Sequence, residues 1–372
     1  MVTAKRIRVS RSVVGEAEKL ALAEVIDEGY LGMGVWVQRF EEALSEFFGG
    51  RAVACVNSGT AALHLAFLAI GLKPGDEVLV QSLTYLATFQ AISATGAIPV
   101  ACEIDHSTIT IDLEDAEHRV TERTKAIAPV HYASGVGPLD DIYNFAQRHN
   151  LRVVEDAAHA FGTVYRERDV GSFGDISCFS FDGIKNITSG EGGAVVTDDV
   201  PVIEHVRDAR LLGIIKDTEQ RYRSERSWEF DVTSQGFRYH MSNLFAAIGL
   251  VQLGRFPDFR ARRVALAQQY VQALSGHPGL AMLDLNYEEV VPHIFPVRVL
   301  DDRRDALRQN LSSQGIECGI HYLPNHLLSF YGDGQPALPV TEQMYRELLS
   351  LPLHPEITDQ EQQRILEIVL SA

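Results

Sequence analysis

The sequence is poor in cysteine: 372 residues hold four, at Cys55, Cys102, Cys178 and Cys318. No two form a CxxC pair, which argues against a structural zinc site, and no metal is expected. Each lies in an apolar setting and reads as a buried, reduced thiol suited to the cytoplasm. Positive charge is also scarce. A formal net charge of −17 argues against general binding to nucleic acid or anionic membrane, though a local basic pocket for an anionic ligand stays open. Long apolar runs are missing. The longest, AALHLAFLAIGL, falls short of the roughly 20 residues that span a bilayer. The opening MVTAKRIRVSRSVV has basic residues but no apolar core behind them, so it does not read as a signal peptide. No strand leads into GxGxxG, which disfavours a nicotinamide dehydrogenase.

What is present is a strand–helix alternation. VVGEAEKLALAEVIDEG and WVQRFEEALSEFFGG have helical spacing and end at glycines. Then AVACVNS, DEVLVQS, IPVACEID, KAIAPVHY and LRVVEDA read as short buried strands with helices between. That pattern predicts an α/β fold with a mostly parallel sheet covered on both faces, and ligands at the carboxyl ends of its strands. MSNLFAAIGLVQLGRF and PDFRARRVALAQQYVQALSG read as two long helices. Residues 1–255 are expected to form a large domain with a helical N-terminal segment, and 256–372 a smaller α+β domain. The charge-dense stretch KDTEQRYRSERSWEF, 216–230, reads as a solvated loop.

Three segments can carry chemistry. In VNSGTAAL a strand enters a helix through Ser58-Gly59-Thr60, and free N–H groups with hydroxyls there make either an anion cradle or an ordinary capped turn. LRVVEDAAHAFGT puts Asp156 at a strand end, where it can hold a proton on a ligand nitrogen or cap a helix. In CFSFDGIKNITSGEGGAVVTDD, Lys185 stands among turn residues, with glycines that let backbone approach a flat ring and Ser180 five residues upstream. Alone, each has a bland reading. Together they supply what pyridoxal phosphate needs: a helix start for the phosphate, a carboxylate for the pyridine nitrogen and a lysine for the aldehyde.

At these residues the chain resembles the sugar aminotransferases of the DegT/DnrJ/EryC1/StrS group, within the fold-type I pyridoxal-phosphate enzymes. EGYLGMG, SGTAALHLA, SLTYLAT, VEDAAHAFGT, FSFDGIKNITSGEGGAVVTDD, YHMSNLFAAIGLVQL and LSLPLHPEIT match in order over nearly the whole chain. The resemblance implies a seven-stranded sheet in the large domain. It implies that Lys185 is the Schiff-base lysine and proton shuttle, and that Asp156 pairs with the pyridinium nitrogen. Gly59, Thr60 and Ser180 would hold the phosphate. Tyr85 would stack on the ring, and His159 would stand near its polar edge. Arg238, in GFRYHMS, stands where many members have Asn, and His240 where many have Arg. That loop reaches a partner subunit's phosphate in the family, and a cation suits that task. Asp182 replaces a common His. His321 and His326, in IHYLPNH, are candidates to face the sugar, as Lys216, Arg221, Arg223 and Arg226 are for the nucleotide's phosphates.

The reaction so implied moves an amine from an amino acid, L-glutamate, through pyridoxamine phosphate to a keto group of a nucleotide-linked sugar. HYASG, EDAAHA and SLTY look more like members acting at C4 of a 4-keto-6-deoxy sugar. A homodimer with shared sites is implied as the minimum unit. Two alternatives stand beside this reading. One is a non-catalytic sensor that keeps the cofactor. The other is a related enzyme such as a sugar dehydratase, although that branch has His in place of the lysine retained here. A desulfurase would need a cysteine in a polar loop.

Overall fold

The computed structural model describes residues 6–332, 334 and 336–371. Residues 1–5, the head of the basic opening stretch, lie outside the described residues. The strands in chain order are β1 (Ala52–Val56), β2 (Glu77–Gln81), β3 (Ile98–Cys102), β4 (Thr124–Ala128), β5 (Arg152–Asp156), the short pair β6 (Val164–Tyr165) and β7 (Arg168–Asp169), β8 (Ile176–Ser180), β9 (Gly193–Thr197), β10 (Leu280–Met282), β11 (Phe295–Val299) and β12 (Leu348–Leu351). The helices are α1 (Glu16–Glu28), α2 (Val35–Phe47), α3 (Gly59–Ala69), α4 (Ala87–Ser93), α5 (Leu113–Arg119), α6 (Leu139–His149), α7 (Val200–Ala209), α8 (Asp217–Tyr222), α9 (Asn243–Leu274), α10 (Arg304–Ser313), α11 (Pro339–Glu347) and α12 (Asp359–Leu370).

Among the described residues, the main sheet has seven strands in the order β1-β9-β8-β5-β4-β2-β3. Only β9 runs antiparallel to its neighbours; every other pairing in this sheet is parallel. Successive side chains on a strand point to opposite faces, and both faces are buried here. Val53 and Cys55 of β1 join one core, while Ala54 and Val56 join the other. On β9, Ala194 and Val196 split from Val195 in the same way. The first core is closed by α1, α2, α6 and the N-terminal half of α9, the second by α3, α4 and α7. Apolar strands without a polar alternation therefore mark a sheet covered on both sides.

The two long helices expected around residue 256 are one. Helix α9 runs unbroken for 32 residues with Pro257 inside it. A proline there forfeits a backbone bond and costs about 3 kcal/mol. Phe256 and Phe259, both buried, anchor the helix on either side. The Phe256 ring lies 5.0 Å from that of Phe161 and 5.9 Å from that of Phe47. The expected division at 255/256 falls within this helix. Beyond it, the antiparallel sheet β10-β11-β12 packs with α10, α12 and the end of α9 around Tyr270, Phe295 and Leu349.

The stretch 216–230 is more structured than a solvated loop. Helix α8 occupies its first part because Asp217, almost fully buried, takes hydrogen bonds from Arg221 Nε at 2.7 Å and Ser227 Oγ at 2.7 Å. Cys55, Cys102 and Cys178 are buried free thiols, but Cys318 is only half-buried. Among the described residues, no helix is long and apolar enough to cross a membrane.

Candidate active site

The carboxyl ends of β1, β5 and β8 converge on a cavity of about 420 Å³. At the end of β1 the chain turns into α3, where Ser58 Oγ accepts a bond from Ala61 N at 3.1 Å. This cap satisfies one helix-start N–H, and Gly59 and Thr60 beside it line the cavity. Glycine is required at 59: a Cβ there would sit 2.8 Å from Ser180 Cβ. Gly193 serves the same crowding, since its Cβ would meet the Ser58 carbonyl oxygen at 2.4 Å. Gly193, within GEGGA, thus brings β9 against the start of α3.

Asp156, at the tip of β5, is 5% exposed. Its Oδ2 accepts from Thr88 Oγ1 at 2.6 Å and its Oδ1 from Ala158 N at 3.1 Å. A turn rather than a helix follows it. Lys185 follows β8 in a turn closed by its N–H on the Asp182 carbonyl at 3.1 Å. Burial lowers its amine to about 8, opposed by the charges of Asp156 and Asp182. Near pH 7 about one amine in ten is then neutral, against roughly one in 2,500 for a free lysine.

His159 is buried, with Nε2 3.2 Å from Tyr322 Oη. Burial first, then Lys185 and His321, hold it well below the usual histidine range, so its ring is neutral at pH 7. His321 lines the same wall, its Nδ1 2.7 Å from Ser350 Oγ, and burial and Lys185 take it to about 4. Tyr85 is 59% exposed at the mouth, its ring 5.3 Å from that of Tyr322. Asp182 also lines the cavity, with Oδ1 accepting from Ile184 N at 3.3 Å.

Of the residues singled out from sequence, Gly59, Thr60, Tyr85, Asp156, His159, Ser180, Lys185 and His321 come together on this cavity. Two do not line it. His326 is buried elsewhere, with Nδ1 2.7 Å from Ser82 Oγ and Nε2 3.5 Å from Glu342. Arg238 is exposed, on a segment bridged to Leu211. Lys216, Arg221, Arg223 and Arg226 do not line it either. Sequence reasoning passed over Thr88, Tyr132, His293 and Tyr322. Thr88 closes SLTYLAT and Tyr322 sits inside IHYLPNH, so both lay in segments already marked; nothing local marked His293.

A mostly parallel sheet carrying a half-buried lysine, a strand-end carboxylate and a helix-start cradle defines a fold-type I pyridoxal-phosphate enzyme. The model of the DegT/DnrJ/EryC1/StrS aminotransferase family matches residues 13–370, and the chain belongs to that family. It is 36% identical over 370 residues to the spore coat polysaccharide biosynthesis protein SpsC of Bacillus subtilis, covering 97% of this chain and 95% of that protein. Among solved structures it is similar to S. venezuelae DesV in complex with a ketimine intermediate. That likeness has 35% identity and a TM-score of 0.88, over 95% of this chain and 93% of that one. It is also similar to Helicobacter pylori PseC, an aminotransferase involved in the biosynthesis of pseudoaminic acid. There the identity is 28% and the TM-score 0.92, over 99% of each chain. The chain is thus a pyridoxal-phosphate-dependent aminotransferase.

Proposed function

We propose that this enzyme moves the amine of L-glutamate to C4 of a nucleotide-linked 4-keto-6-deoxy sugar, making an amino sugar for a polysaccharide or glycosylated product. The observation that carries the reading is the meeting of Lys185, Asp156 and the α3 start on one cavity. The relatives add support: SpsC is named for spore coat polysaccharide biosynthesis, and PseC for pseudoaminic acid biosynthesis. Choice of C4 rests on the likeness of HYASG, EDAAHA and SLTY to C4-acting members. We take residues 1–255 as the cofactor-binding unit and 256–372 as the smaller unit. A cytoplasmic homodimer is the working form, with Arg238 reaching the neighbouring subunit's phosphate.

The residues fit pyridoxal phosphate. The amides of Gly59 and Thr60 and the hydroxyl of Ser180 suit a phosphate. Glycine at 59 and 193 keeps side chains out of that cradle. Thr88 and Ala158 fix the Asp156 carboxylate so that it can hold a proton on the pyridine nitrogen. When bound, the cofactor supplies an aldehyde to carry the amine and an electron sink for the carbon that loses its proton.

The remaining work falls to the chain. Burial readies Lys185 Nζ to attack as a neutral amine and, once displaced, to take a proton from carbon and return it to the neighbouring position. His159, His321, Tyr132 and Tyr322 form a wall of uncharged polar groups with hydrogen-bonding capacity for sugar hydroxyls. A panel of nucleotide-linked keto-sugars incubated with glutamate and read by mass spectrometry tests the proposal. Amination of a 4-keto-6-deoxy sugar is expected; selective amination of a 3-keto sugar would overturn the C4 assignment.

A further inference from the structure

His293 lies just before β11 and is 3% exposed. Three contacts fix its backbone. Its N–H donates to Ser134 Oγ at 3.1 Å, and Ser134 Oγ in turn donates to the His159 carbonyl. Its own carbonyl and that of Pro292 accept from Nη1 of the buried Arg263 of α9, each at 3.3 Å. One hydroxyl therefore ties His159 and His293 together, and their rings lie 4.4 Å apart. So braced, the His293 ring places Nε2 3.4 Å from Lys185 Nζ.

We propose that His293 is a positioning residue for the amine transfer: its Nε2 receives a hydrogen bond from the Lys185 amine and holds that amine at the cavity wall whenever it is not joined to carbon. The inference rests on Lys185 being the amine that meets the cofactor. In transamination this amine must be displaced, stay close, take a proton and then release it. A four-carbon stem with a free end loses reach and aim without a partner. His293 supplies an acceptor and takes no proton itself; the proton travels between carbon and Nζ.

The surroundings keep the ring able to accept. Burial disfavours its charged form most, and Lys185, His159, Arg263 and His321 all oppose a further positive charge. A neutral acceptor beside an ammonium stabilises that ammonium. His293 therefore strengthens Lys185 as a base, against the burial that weakens it.

The test loads the enzyme with pyridoxamine 5′-phosphate, which leaves the lysine free. Pulses of isotope-coded acetic anhydride across about pH 6 to 10 then titrate residue 185, read by peptide mass spectrometry. His293→Leu should lower the midpoint by about one pH unit, tenfold in neutral amine. His293→Gln, whose Oε1 can accept, should stay within about 0.3 unit of the parent. If the leucine chain fails to fold, His293→Met takes its place. An unmoved midpoint in the apolar variant, or an equal fall in His293→Gln, overturns the role. Borohydride reduction of the pyridoxal-loaded parent separates the two layers. Failure to label residue 185 removes the lysine assignment, whereas normal labelling with an unmoved midpoint removes His293 alone.

Discussion

Replacing the fully buried Thr88 by valine deletes the hydroxyl that backs Asp156 and leaves the shape nearly unchanged. That hydroxyl gives Asp156 the shorter of its two hydrogen bonds, 2.6 Å against 3.1 Å from Ala158 N. A bond to a charged group contributes about 1.5–3 kcal/mol. If all of it were lost in the transition state, the rate would fall roughly 10- to 150-fold, at tenfold per 1.36 kcal/mol. The backbone bond from Ala158 remains and keeps one carboxylate oxygen in place. The expected loss is therefore at the low end, about 10- to 30-fold in the first half-reaction. Stopped-flow absorbance of the loaded enzyme mixed with glutamate reads that step, and a thermal melt of the same sample separates misfolding from misaligned chemistry. A half-reaction within about twofold of the parent, with an unchanged melt, would refute the claim that Thr88 orients Asp156 for catalysis.

Two other substitutions probe the frame. Gly59→Ala would place a Cβ 2.8 Å from Ser180 Cβ, so the cradle must open; cofactor affinity, measured by dialysis and absorbance, should fall at least about tenfold while the fold persists. Glu41→Gln removes the carboxylate that meets the fully buried Arg210 at 2.5 Å, and breaking such a pair costs about 3–5 kcal/mol, seen as a lower midpoint in urea unfolding.

The main sheet was legible because its strands are apolar on both faces and bounded by turn residues, as AVACVNS and LRVVEDA are. The end of α1 was equally plain: Gly29 closes it with φ 72°, a conformation glycine adopts without strain. Pro257 misled, because local chemistry says stop while the aromatic packing of Phe256 with Phe47 and Phe161 says continue. The stretch 216–230 misled for a similar reason. Its charges look solvated until Asp217 is seen buried with Arg221 and Ser227. Within the site, Lys185, Asp156 and the Ser58–Thr60 turn could be read because each sits at a strand end with turn chemistry around it. His293 could not. It stands 108 residues from Lys185, and its position depends on Ser134 and Arg263, which only the folded chain brings together. Arg238 and His326 show the reverse: motif neighbours that the single chain places away from the cavity.

The measurement that bears most directly on the central claim is borohydride reduction of the pyridoxal-phosphate-loaded enzyme, followed by peptide mapping. The peptide containing Lys185 should carry the reduced pyridoxyl group. A label on a different lysine, or no label on a chain that binds the cofactor, would contradict it.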